Sequence, residues 1–176
     1  MTASTPENWR LADDYLANTL VGHEPGLEQA IAEQHAAAMP AIEVAPLAGK
    51  LLMLLAQLSG ARRVLEIGTL GGYSTIWLAR GIPSDGRVVT LEAEPAHAAV
   101  ARASIDRAGV GEKVEIMVGI AADTLPTLEG GEPFDPMVIG TRNALAMLGS
   151  DPRFEATALQ TVGMQGWDGV ALAVVT

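Results

Sequence analysis

The stretch Leu65-Glu66-Ile67-Gly68-Thr69-Leu70-Gly71-Gly72-Tyr73-Ser74 sets a carboxylate just before a glycine turn. Glycines at such a turn let a ligand approach the backbone with no Cβ in the way. A dinucleotide site would need Gly-x-Gly-x-x-Gly, and counting from Gly68 the third position is Leu70, so that fingerprint fails. What stands instead is Glu-x-Gly-x-x-x-Gly, carried by Glu66, Gly68 and Gly72. Bare amides at a helix start suit a pyrophosphate, whereas a carboxylate beside the turn suits a ligand with positive charge. A second acid, Glu92, follows Gly72 by 92 − 72 = 20 residues. At the end of a second strand it would accept hydrogen bonds from both ribose hydroxyls, as acids do in other doubly wound nucleotide folds. The glycine turn alone could equally be only a tight turn. Joined to Glu92 it reads as a nucleoside-cofactor site, and S-adenosylmethionine, with an ammonium and a sulfonium, answers the charge.

The elements that must hold these residues follow from the pattern around them. Val64-Leu65-Glu66-Ile67 is a short apolar run of the kind that forms a buried parallel strand. Further strands are expected at Val88–Leu91, Val114–Val118 and Met137–Ile139, with helices at Pro95–Ala108 and near Thr124–Leu128 between them. Alternation of this kind predicts an α/β fold, a right-handed, doubly wound, Rossmann-like parallel sheet. Its ligand would lie at the carboxyl ends of the strands, where the chain reverses direction across the sheet. Ahead of the sheet, helices are expected from Thr5-Pro6-Glu7, from Pro25 to an end before Met39-Pro40, and from Pro46 to about Leu58. The last of these shows an apolar stripe of Leu47, Leu51, Leu54, Leu55 and Leu58. Beyond Gly140 come a helix at Asn143–Leu148 and two strand-like runs, Glu155–Thr161 and Val170–Val175. That pair reads as an antiparallel hairpin with a long, glycine-rich loop at Gly163–Gly169. One domain spanning 1–176 is expected, with a helical cap at 1–58 and a sheet domain at 59–176.

Composition excludes several classes. The 176 residues carry 11 Lys and Arg against 21 Asp and Glu and contain no cysteine. A net charge of −10 opposes a nucleic-acid partner or an acidic membrane surface. The missing cysteines remove disulfides, thiolate zinc sites and thiol nucleophiles and fit a reducing compartment. Without a signal-peptide pattern or an apolar run long enough to span a bilayer, the expected place is the cytoplasm. His23, His35 and His97 are scattered over separate helices and read as structural or solvent-exposed.

Three segments together carry a resemblance. Met39-Pro40-Ala41-Ile42-Glu43-Val44, the run Val64–Ser74, and Val89-Thr90-Leu91-Glu92 resemble the small class I O-methyltransferases related to catechol and caffeoyl-CoA methyltransferases. The ending Ala158–Gly163 and Gly166–Gly169 resembles that family's last hairpin. The resemblance implies methyl transfer from S-adenosylmethionine to a hydroxyl of a small, phenolic acceptor, and a homodimer. It implies that Val44 borders the methionine part, that Glu66 sits near the amino group, and that Gly68, Thr69 and Gly72 form the floor. Ser74 would bond the methionyl end, Glu92 the ribose, and Ala121 would lie against the adenine. In the family a divalent ion, magnesium by its oxygen ligands, grips the acceptor through two aspartates and an asparagine. Here the first of those positions falls on Gly140, no Asp-Asn pair follows, and a few dozen family residues including the fifth strand are missing. Asp135, Asn143, Asp151 and Asp168 are the nearby replacements, but their spacing does not recreate the family's, so no metal site is expected and no catalytic residue is assigned. If the fourth strand takes over the fifth's connection, the spatial order becomes 3-2-1-4-7-6 in the family's strand numbers. Two other readings stay open. One is a protein that binds the cofactor or dimerises without catalysis, and the other is an incomplete chain that folds poorly.

Overall fold

The computed structural model describes residues 6–128, 134, 138–139, 150, 152, 154–163 and 166–175. Helix α1 (Pro6–Leu16) opens on proline and runs into a π-helical turn at Ala17–Val21. Helix α2 (Pro25–Ala36) ends before Met39-Pro40, as expected. Ala38 takes a left-handed conformation (φ 53°), and the Met39 N–H donates back to the Gln34 carbonyl at 3.2 Å. This is the six-to-one closure that ends many helices, so the stop precedes any effect of Pro40.

The parallel sheet is β1 (Arg63–Ile67), β2 (Arg87–Glu92), β3 (Val114–Val118) and β4 (Val138–Ile139), in the order β3-β2-β1-β4. Alternation sorts its side chains between two faces. Val64 and Val88, paired in register, meet α2, α3 (Pro46–Ser59), α4 (Tyr73–Gly81) and α5 (Pro95–Arg107) in the larger core. Leu65, Val89 and Leu91 face the other way, toward Ala121, which opens the short helix α6 (Ala121–Thr124), and toward Leu125, Leu128 and Phe134. The expected doubly wound arrangement is present, with the heavier helical layer on one side.

The buried face of α3 is Ala48, Gly49, Leu52 and Ala56, while Leu54 and Leu58 of the leucine stripe are exposed. Small residues win because α3 packs against α4, where the buried Trp77 ring lies directly on Gly49. A methyl group at Gly49 would overlap that ring. Gly49→Ala is therefore expected to lose about 1–3 kcal/mol by overpacking. Urea unfolding checks this, and an unchanged midpoint would show that Trp77 gives way freely.

One expectation is corrected, in the hairpin of β5 (Phe154–Gly163) and β6 (Gly166–Val175). Its ladder continues through Thr161↔Asp168 and Val162↔Trp167 to Gly163↔Gly166, so the expected long loop is strand and Trp167 lies within β6. Only two residues separate the last pair, a length whose turns match the twist of the flanking strands. The hairpin forms its own two-stranded sheet. β6 runs near β4, and among the described residues no ladder joins the two sheets. The expected helix at Asn143–Leu148 lies outside the described residues.

Candidate functional site

Where β1 and β2 end, the chain leaves a cavity of about 480 Å³. Its wall includes Glu66, Gly68, Thr69, Leu70, Gly71 and Ser74 from the glycine turn, and Glu92, Glu94 and His97 from the β2 side. Gln34, Glu43 and Val44 close it from the helical cap. Among the described residues, four carboxylates line it and no lysine or arginine does.

Glu66 is buried at the end of β1 and acts as the hub of a hydroxyl network. Its Oε1 accepts from Ser74 Oγ at 2.6 Å, and its Oε2 accepts from Thr75 Oγ1 at 2.5 Å and Thr90 Oγ1 at 2.7 Å. Because the Thr90 hydrogen is spent on Glu66, the Thr69 hydroxyl, 2.7 Å away, donates to Thr90. Burial pushes the Glu66 carboxyl above its usual range, the hydroxyl donors pull it back, and nearby Glu92 adds a smaller upward push.

Glu92 does something the sequence did not show. Its Oε2 accepts from the backbone N–H groups of Thr69 at 3.1 Å and Leu70 at 2.8 Å, and its Oε1 accepts from Glu94 N–H at 3.0 Å. The acid on β2 thereby holds the glycine turn of β1 in place. Leu70 itself has a positive φ of 49°, a strained setting for a branched side chain that these bonds help to hold. His97 Nδ1 stands 3.7 Å from Glu92 Oε1, so this histidine belongs to the cavity wall and not to a remote surface.

Gly68 has φ +95°, and a Cβ built there meets no atom of the described residues within 4 Å. Combined with its place in the wall, that makes it an approach point for a ligand. Gly72 caps α4 at φ 85°, but a Cβ there would press on Ile105 at 3.1 Å, so this glycine serves helix packing. Of the expected binding residues, the cavity brings together Val44, Glu66, Gly68, Thr69, Ser74 and Glu92. Gly72 lies behind the wall, and Ala121 packs on the far face of the sheet, outside the lining. Sequence reasoning missed Gln34 and Glu43. The one available signal was Glu43, a glutamate flanked by the apolar Ile42 and Val44.

Among the described residues no group of three or more His, Asp or Glu could hold a metal ion. Asp135, Asn143 and Asp151 lie outside those residues, and Asp168 stands in β6 opposite Thr161.

The O-methyltransferase family model matches residues 19–144. The catechol O-methyltransferase of Mycobacterium tuberculosis is 46% identical, over 93% of this chain and 94% of its own length. The chain belongs to the O-methyltransferase family. That alignment has 208 positions, 32 more than the 176 residues here, so this member lacks at least that many aligned residues of its relative. Two solved family structures superpose closely. The Bacillus cereus O-methyltransferase in complex with SAH has a TM-score of 0.86 and is 38% identical, covering 98% of this chain and 100% of its own. The Streptomyces achromogenes O-methyltransferase TomG in complex with SAM has a TM-score of 0.88 and is 36% identical, covering 99% and 100%.

Proposed function

We propose that this family member binds S-adenosylmethionine in the cavity at the ends of β1 and β2 and transfers its methyl group to a hydroxyl of a small phenolic acceptor, with a catechol as the first candidate. The carrying observation is the wall itself, in which four carboxylates and, among the described residues, no lysine or arginine surround an open glycine. A dinucleotide's phosphates would be repelled there, and a ligand with a sulfonium and an ammonium would be attracted. The volume of about 480 Å³ falls in the usual range for cofactor sites, roughly 300–1,000 Å³. Names of the relatives support the same reading, since TomG was solved with SAM and the M. tuberculosis relative is a catechol enzyme.

In this proposal Gly68 and Thr69 form the floor and Gly72 supports it by fixing the start of α4. Val44 borders the methionine part, Ser74 bonds the methionyl end, and Glu66 supplies negative potential beneath the amino group. Glu92 keeps one lone pair for the ribose after holding the turn, and Ala121 borders the adenine once the ligand reaches past β3. The bound cofactor supplies an electrophilic methyl on sulfur. The protein's part is to hold that methyl in line with an acceptor oxygen and to exclude water.

The surface fits a homodimer, since Leu11, Tyr15, Leu20, Leu54 and Leu58 are exposed, and the π-helical turn bearing Leu20 packs on α3. Among the described residues no helix is long and apolar enough to cross a membrane. A single-domain chain acting in the cytoplasm, with a small-molecule acceptor and no nucleic-acid partner, completes the proposal.

The test is incubation with S-adenosylmethionine and catechol, with magnesium and with chelator, followed by mass spectrometry. A singly methylated product is expected. Cofactor binding without product from catechol or a panel of phenols would replace this reading with that of a non-catalytic binder.

A further inference from the structure

We propose that a second, smaller cavity binds a small aromatic amine, a single ring carrying a primary ammonium, and that this site stands whether or not the S-adenosylmethionine reading does. The cavity lies between the π-helical turn, α2 and the first residues of α3 and α4, Pro46 and Tyr73, and its volume is about 170 Å³. Among the described residues it shares Tyr73 alone with the larger cavity. Leu27 and Tyr73, both buried, line it together with Val21, Ile31 and Pro46. An apolar cavity of about 150 Å³ is enough to take up benzene, so the space fits one ring and not a nucleoside. The turn shapes the space, since Ala17, Asn18 and Val21 of the turn line it, and π-helical turns are rare and concentrate at functional sites. Gly22 caps the turn at φ 74° and lines the cavity too, and a Cβ built there meets no atom of the described residues within 4 Å.

Charge selects the other end of the ligand. Leu27, Glu28 and Ile31 of α2 and Glu24 at its N-cap follow one another at spacings of three, one and three, so one helix face supplies an apolar wall and two carboxylates together. Among the described residues no lysine, arginine or histidine lines this cavity. From outside it, Arg80 Nη1 donates to Glu24 Oε2 at 3.1 Å and answers one of the two charges. Glu28 is met by His23 Nδ1 at 2.7 Å, an exposed partner that is charged only when protonated. With His23 neutral, one negative charge beside an apolar wall is left without a counter-charge. An anion would be repelled there, a hydrated metal ion would gain nothing from the apolar sides, and a neutral ring would leave the charge unanswered. An aromatic amine answers both, with its ring against Leu27, Ile31 and Tyr73 and its ammonium at Glu28.

The test is titration of the isotope-labelled wild-type chain with 2-phenylethylamine and with neutral 2-phenylethanol, followed through the backbone amide shifts. Saturable shifts are expected at Ala17, Val21, Gly22, Leu27, Ile31 and Tyr73, with a Kd of about 0.1–1 mM for the amine, the scale for a ligand of this size. Shifts centred on Gly68 and Thr69 would put the amine in the larger cavity, and the absence of saturable shifts up to about 10 mM would leave the smaller one without a ligand; either result overturns the proposal. Glu28→Gln keeps the side-chain size and should weaken the amine about three- to fivefold, the scale of an exposed ion pair, without changing the alcohol. A Glu28→Gln chain that binds the amine as wild type does, or loses both ligands alike, would overturn the recognition of charge. Ala17→Phe, chosen to fill the cavity, should weaken both ligands about tenfold or more. Full affinity in an Ala17→Phe chain that melts cooperatively would overturn the site. Should that variant not fold, the wild-type shifts and Glu28→Gln decide the matter alone.

Discussion

Glu66→Ala is expected to lose about 3–5 kcal/mol of folding stability, the range for removing one partner from a buried charged network. The substitution strips the acceptor from Ser74, Thr75 and Thr90 and opens a cavity between β1, β2 and α4. Glu66→Gln keeps the shape and one acceptor oxygen, and the threonine hydroxyls can turn to accept from its amide, so it should lose only about 1 kcal/mol. Urea unfolding followed by tryptophan fluorescence measures both. A loss below about 1 kcal/mol for the alanine variant would mean that the hydroxyls find other acceptors.

The same residue sets a pH dependence. Burial raises the folded carboxyl above its ordinary value of 4.5. Below that value the group is protonated in the folded and unfolded chain alike. As pH rises from there through the raised folded value, the unfolded chain gives up its proton first, so stability falls across that window. Glu66→Gln removes this contribution, and its stability relative to wild type should improve as pH rises through the same window. A difference that does not change with pH would contradict the assignment.

Gly68→Ala should act on binding more than on folding. At φ +95° an alanine is strained, at a cost of about 1–2 kcal/mol. Its methyl group would enter open cavity space where no atom of the described residues lies within 4 Å, which is the space a ligand would use. Affinity for S-adenosylhomocysteine should drop about 100-fold, or roughly 2.7 kcal/mol. Gly72→Ala is the matched control. Its backbone is strained at φ 85°, but its methyl meets Ile105 and not the cavity, so it should lose stability with little loss of affinity. Equal affinity losses in the two variants would show that backbone strain, and not ligand approach, dominates.

The parallel sheet was legible because strand runs bounded by glycines and helices opened by Pro25, Pro46 and Pro95 leave few ways to wind the chain. The acids of the site were legible for a similar reason, as Glu66 and Glu92 both stand at the ends of strands. The buried side of α3 was not. Leucine spacing marks where apolar surface is available, but the approach of α4 selects Gly49 opposite Trp77 and Ala56 opposite Gly81, whose small size no hydrophobic pattern singles out. The hairpin was misjudged at its tip because glycines read as loop, although Gly163 and Gly166 pair across the ladder.

Gln34 and Glu43 were hidden for a different reason. They lie far in sequence from the glycine turn and reach it only because the left-handed Ala38 ends α2 and returns the chain toward the cavity. The bonds that the Gln34 amide donates to the Pro40 carbonyl and to Glu43 exist only in three dimensions.

The central claim, that the carboxylate-lined cavity holds S-adenosylmethionine, is tested most directly by calorimetric titration of the purified wild-type chain with S-adenosylhomocysteine, alongside a thermal melt. The prediction is saturable binding of one ligand per chain, competed by S-adenosylmethionine, to a protein that melts cooperatively. A cooperative melt with no binding heat at several temperatures, and no shift of Tm at saturating ligand, would contradict it.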